Sequence, residues 1–94
     1  DVALEALLDE RFQKTGQALS LLELKRLSGQ FTVRLDDILD TLCKLHQNGL
    51  WDYRKPDGSD GGVDKDMCRL LRANHRLNDT QLERLDGNWQ PAGS

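Results

Sequence analysis

The chain has 94 residues, 37% of them hydrophobic and 31% charged, with a formal net charge of -3. That length makes one domain with a modest core and leaves no room for a deep substrate cavity with its own supporting shell. The balance excludes a disordered acidic tail and a uniformly basic nucleic-acid coat, and no apolar run is long enough for a membrane span. Partners must therefore be argued from local charge. The first residue is Asp rather than Met, which suggests a domain cut from a longer protein or a processed start. No basic segment followed by an apolar stretch opens the chain as a signal peptide would. The expectation is a cytoplasmic or nuclear protein whose single domain spans residues 1–91, with 92–94 as a tail.

In chain order, Asp1 to Thr15 has the spacing of a helix, with Leu4, Leu7, Leu8 and Phe12 on one face and Gly16 closing it. A capping box from Ser20 to Glu23 and a hydrophobic staple of Leu19 onto Leu24 start a second helix, which Gly29 is expected to end. Thr32 is a suitable N-cap for a third, because its hydroxyl can accept from an otherwise orphan backbone N–H. Along that helix Leu35, Ile38, Leu39, Leu42, Leu45 and His46 recur at steps of three and four, while Arg34, Asp37, Thr41, Lys44 and Asn48 fall on the opposite side. Gly49 stops it. Leu50 to Arg54 alternates in character as a half-buried strand should, with Trp51 expected in the core and one of Trp51 and Tyr53 facing solvent. Phe12 and Phe31 are also expected in the core.

The run from Lys55 to Gly62 is a polar, turn-forming segment. Val63 to Arg76 returns to helical spacing through Met67, Leu70 and Leu71, with Asp64 as N-cap. Leu77 onto Leu82 and Asn78 with Gln81 repeat the staple and the capping box, so a short last helix runs to about Asp86 and stops at Gly87. Trp89 is then available to fold back. The fold class is mainly α with a small β component.

The second helix from Ser20, the turn Gly29-Gln30-Phe31, the third helix from Thr32, the strand Leu50 to Arg54 and the loop Lys55 to Gly62 together resemble the winged-helix branch of the helix-turn-helix superfamily. The resemblance covers a little over half the chain and is one of pattern. It implies a three-helix core with a strand and a wing, followed here by C-terminal helices. One departure stands out: a second strand should follow the wing, yet Val63 to Arg76 reads as helix. The resemblance also implies DNA binding in a regulatory protein, with the third helix in the major groove. Arg34, Thr41, Lys44 and Asn48 would then meet bases and phosphates, and Arg54 and Lys55 the flanking backbone.

The residues themselves add a second basic feature and an objection. Lys65, Arg69, Arg72 and Arg76 fall at steps of three and four, one stripe if the segment is helical, and such a stripe is either a solvated face or a seat for phosphates or an acidic partner. Against groove reading, Asp36, Asp37 and Asp40 stand on the third helix, and carboxylates repel phosphates. Those same acids, with Trp51 and Tyr53 as aromatic anchors, fit the alternative of a protein-interaction adaptor within a larger assembly.

Enzyme chemistry is not expected, because no glycine-rich phosphate loop joins a strand to a helix and the chain holds only two His and two Cys. No cofactor or metal is expected either, since Cys43, His46, Cys68 and His75 give C-x2-H and C-x6-H, which is not a zinc spacing. A Cys43–Cys68 disulfide is within geometric reach, but without secretory features reduced, packing cysteines are the expectation.

Overall fold

A computed structural model describes residues 2–59 and 62–93. Helix α1 spans Val2–Thr15, α2 Leu21–Phe31 and α3 Leu35–Gln47; strand β1 spans Trp51–Arg54; α4 spans Lys65–Asn74 and the short α5 Asp79–Leu82; a 3-10 turn covers Glu83–Leu85, and strand β2 covers Asn88–Pro91. The protein is mainly helical with a two-stranded antiparallel sheet.

Helix α3 is the pivot. It packs against α1, α2, α4 and β1, and Ile38, Leu39, Thr41, Leu42, Cys43 and Leu45 are all buried on it. Each large apolar side chain so buried contributes about 1.5–3 kcal/mol. α1, whose only fully buried side chain is Leu8, depends on α3 far more than the reverse.

The helix starts follow their caps where a side chain was available. Ser20 Oγ accepts from the Glu23 N–H at 3.2 Å, Asp64 Oδ1 from the N–H groups of Asp66 and Met67, and Asn78 and Gln81 close a reciprocal capping box. The turn from α2 to α3 differs from expectation. Gly29 remains helical and α2 runs on to Phe31; Thr32 then takes the left-handed conformation (φ 54°), and Arg34 becomes the N-cap of α3 without a side-chain bond. Ser28 explains the shift, because its carbonyl accepts from the N–H groups of both Thr32 and Val33 and its hydroxyl donates to the Val33 carbonyl. Those bonds satisfy the end of α2 two residues later than a glycine stop would. They leave Phe31 48% exposed rather than in the core.

The sheet also corrects the sequence reading. Trp51 and Tyr53 are both buried, since residues two apart in a strand share a face. Neither faces solvent; Arg54 is the exposed member of the strand. The partner strand is β2, in the register Trp51↔Pro91 to Arg54↔Asn88. On its other side Trp89 bridges Leu19, with N–H to carbonyl distances of 2.7 and 2.9 Å. Trp89 therefore lies between Leu19 and Tyr53, fully buried, its ring 4.6 Å from that of Tyr53 and edge-on to His46. Gly87 seals the corner, its N–H donating to the Tyr53 hydroxyl at 2.9 Å. Burial pushes the Tyr53 phenol above its ordinary value of 10.0, against the opposing pull of that bond.

Cys43 and Cys68, both buried, form a disulfide with a Cα–Cα distance of 5.8 Å. The expected reduced thiols are thus replaced by a covalent staple, because α3 and α4 pack with these two positions facing each other. Cystines persist in oxidising compartments, so the disulfide gives no support to the cytoplasmic or nuclear expectation, which rested on the absence of a membrane span and of a signal-like opening. No helix among the described residues is long and apolar enough to cross a membrane.

A Cβ at Gly87 would lie 2.1 Å from the Arg54 carbonyl oxygen and 2.6 Å from the Tyr53 ring. Gly87→Ala is expected to cost about 1–3 kcal/mol in urea unfolding, as overpacking of a core does. Removing the staple as Cys43→Ala with Cys68→Ala opens a link between positions 25 apart and should lower stability by about 3 kcal/mol in the same assay.

Candidate nucleic-acid interface

The side chains expected to meet phosphates do not gather on one face. On α3, Thr41 is buried, its hydroxyl donating to the Asp37 carbonyl at 2.9 Å, so it is withdrawn from any groove-reading surface. Lys44 is half exposed but pairs with Asp40 at 3.1 Å, and both lie with Leu4, Asp37 and Thr41 around a shallow depression between α1 and α3. Asn48 is exposed at the C-cap. The open stripe of α3 is thus Asp37, part of Asp40, Lys44, Gln47 and Asn48, where Lys44 pairs with Asp40 and Arg34 of the N-cap approaches Asp37 at 3.8 Å. Such a stripe offers a phosphate backbone no cation without a carboxylate beside it.

The acidic residues of this helix serve the fold. Asp36 Oδ1 accepts from the Leu77 N–H at 3.1 Å and Oδ2 from Arg34 at 3.3 Å, while Arg34 also donates to the His75 carbonyl at 2.6 Å. The start of α3 is therefore tied to the end of α4. Asp40 Oδ1 is buried without a hydrogen-bond partner among the described residues. With Trp51 and Tyr53 in the core and Asp36 tied to Leu77, the surface expected for an adaptor is reduced to Asp37 and part of Asp40.

At the end of β1, Arg54 and the following Lys55 are exposed. The loop turns through Gly58 N–H to Lys55 carbonyl (2.8 Å) and Lys55 N–H to Ser59 carbonyl (3.1 Å). Ser59, through its side-chain and backbone hydrogen bonds, holds the Asp57 carboxyl below its ordinary range, so the loop carries a carboxylate next to its lysine. Asp60 and Gly61, within the expected wing, lie outside the described residues.

The basic stripe of α4 is formed in part. Lys65, Arg69 and Arg72 are exposed on successive turns. Lys65 and Arg69 line an open depression of about 500 Å³ with His46, Gln47, Gly62 and Val63, and Arg72 donates to Gln47 Oε1 at 2.9 Å. Among the described residues Asp66, 3.4 Å from Arg69 and well exposed, opposes them; an ion pair this open to water is weak. Arg76 is not on the stripe, because α4 ends at Asn74 and His75 turns left-handed (φ 56°). Arg76 joins Arg34 at a different depression instead. The contribution of Gln47 and His46 to the α4 surface was not visible in the sequence, where neither stands out from its own helix.

The thiols that might have completed a metal set are bonded to each other, and His46 Nδ1 lies 2.9 Å from the Trp51 carbonyl. No family model, curated protein or solved structure matches this chain.

The tie between α3 and α4 can be tested directly. Asp36→Ala removes the acceptor of the Leu77 N–H and is expected to cost about 1–3 kcal/mol, the penalty of an unsatisfied buried donor. Amide exchange at Leu77 should accelerate more than at the α2 amides.

Proposed function

We propose that this domain is a non-catalytic binding module that contacts the phosphate backbone of nucleic acid through α4 rather than through α3. One observation carries the reading. The helix that the winged-helix resemblance would send into a groove is packed on several sides and leaves a stripe of mixed sign open, whereas α4, stapled outside it, presents Lys65, Arg69 and Arg72 on one exposed face. Three cations at this spacing suit the sequence-independent, electrostatic part of nucleic-acid affinity, which positions a protein without reading bases.

The winged-helix likeness itself is supported by the element order. A helix, the bridging residue Leu19, two helices and strand β1 precede β2, and Leu19 and β1 flank β2 on opposite sides. In this reading the connection between the paired strands, an ordinary wing elsewhere, has been replaced by α4 and α5. A non-catalytic role fits the commitment of the reactive groups elsewhere, the two cysteines to each other and His46 to the chain at Trp51.

The test is fluorescence anisotropy with a labelled random-sequence oligonucleotide over a range of salt. About three phosphate contacts should give a slope of log K against log salt of roughly -2 to -3. Arg69→Glu with Arg72→Glu, both exposed and so compatible with the fold, should remove the binding, while Asp37→Lys should spare it. Affinity that ignores salt, or that survives the double reversal, would reject this reading in favour of a protein partner.

A further inference from the structure

A second cationic feature forms where α4 ends, and the α4 face does not use it. A shallow depression of about 530 Å³ is lined by Arg34, Asn74, His75, Arg76, Asn78 and Gln81, with neither a carboxylate nor an apolar side chain among them. Donors dominate it for a structural reason. In the capping box of α5, Asn78 Oδ1 accepts from the Gln81 N–H (2.8 Å) and Gln81 Oε1 accepts from the Asn78 N–H (3.0 Å). Each amide therefore uses its oxygen on the backbone and keeps an NH2 group with no partner among the described residues, so its donors are the groups most open to a ligand.

The charge follows the same logic. Arg76 is exposed and its guanidinium has no partner among the described residues. Arg34 is held at the rim by its 2.6 Å bond to the His75 carbonyl and is partly neutralised by Asp36 and Asp37, which makes Arg76 the leading positive group. His75 occupies a left-handed position that usually falls to glycine. That turn takes Arg76 off the helical stripe and sets it beside Arg34.

We propose that this depression is a phosphate seat, in which an oxyanion is held by Arg76 and Arg34, with Asn78 Nδ2 and Gln81 Nε2 as neutral donors. A ligand with several acceptor oxygens and negative charge matches a site of this composition, and the bidentate fork of an arginine suits it. The seat does not depend on whether the α4 face binds nucleic acid.

The experiment is an NMR titration of the 15N-labelled domain with inorganic phosphate at low ionic strength, on the wild type, Arg76→Gln and the remote control Lys25→Gln. Saturable shifts at Arg76 and at the side-chain amides of Asn78 and Gln81 are expected in the wild type and in Lys25→Gln. Arg76→Gln should weaken them about tenfold or more, as loss of a charge-assisted hydrogen bond does, with the rest of the spectrum unchanged. Shifts that never saturate, or that Arg76→Gln leaves intact, overturn the proposal. Repeating the titration with a dinucleotide, with and without a 5′-phosphate, identifies the source. Tighter binding of the phosphorylated dinucleotide than of inorganic phosphate supports a seat for a nucleic-acid end, and equal affinity supports one for a free phosphate.

Discussion

The position of Trp89 between Leu19 and Tyr53 holds the two halves of the molecule together. Its backbone pairs with Leu19 on one side and its strand with β1 on the other, so one residue joins the segment between α1 and α2 to the strand after α3. Its ring, fully buried, meets Tyr53 at 4.6 Å and stands nearly perpendicular to His46. Stacked and edge-on aromatic contacts each add about 0.5–1.5 kcal/mol beyond area burial. Beside that clamp lies the tight corner at Gly87, where only a hydrogen atom fits under Arg54 and Tyr53.

A second constraint governs what the surface can do. α4 and the residues just after it are fastened to α3 by the disulfide, by Arg72 on Gln47, by Asp36 receiving the Leu77 N–H and by Arg34 on the His75 carbonyl. These links draw the polar residues at the start of α3 inward and use them as structure. What stays outside is cationic on α4 and of mixed sign on α3.

Much of the fold was legible because its signals are local. Ser20, Asp64 and Asn78 cap the helices they were read to cap, and the period of Ile38, Leu39, Leu42 and Leu45 puts those side chains in the core. Thr32 was misread because a hydroxyl before an apolar run can equally follow a helix; Ser28 decided the matter through bonds that no pattern displays. Trp51 and Tyr53 could have been placed on one face by the period of a strand alone. Strand β2 was beyond the pattern, since Asn-Trp-Gln-Pro has no alternation and contains a proline, and its pairing is set by distant residues. The basic stripe was read from helical spacing carried through Arg76, and the end of α4 at Asn74 separates Arg76 from the other three.

The insertion of α4 and α5 between the paired strands has a kinetic consequence. Tyr53 and Gly87, joined across the sheet corner, stand 34 positions apart in the chain. Contacts of that separation form late, since the entropy of closing the loop must be met before the contact rewards it. The first three helices can collapse on Leu24, Ile38 and Leu42 while Trp51 and Tyr53 still lack their cover. Residues 87–91 thus act as the latch of the domain, and an emerging chain stopped short of them would hold an open aromatic seam, a surface prone to association until the latch arrives.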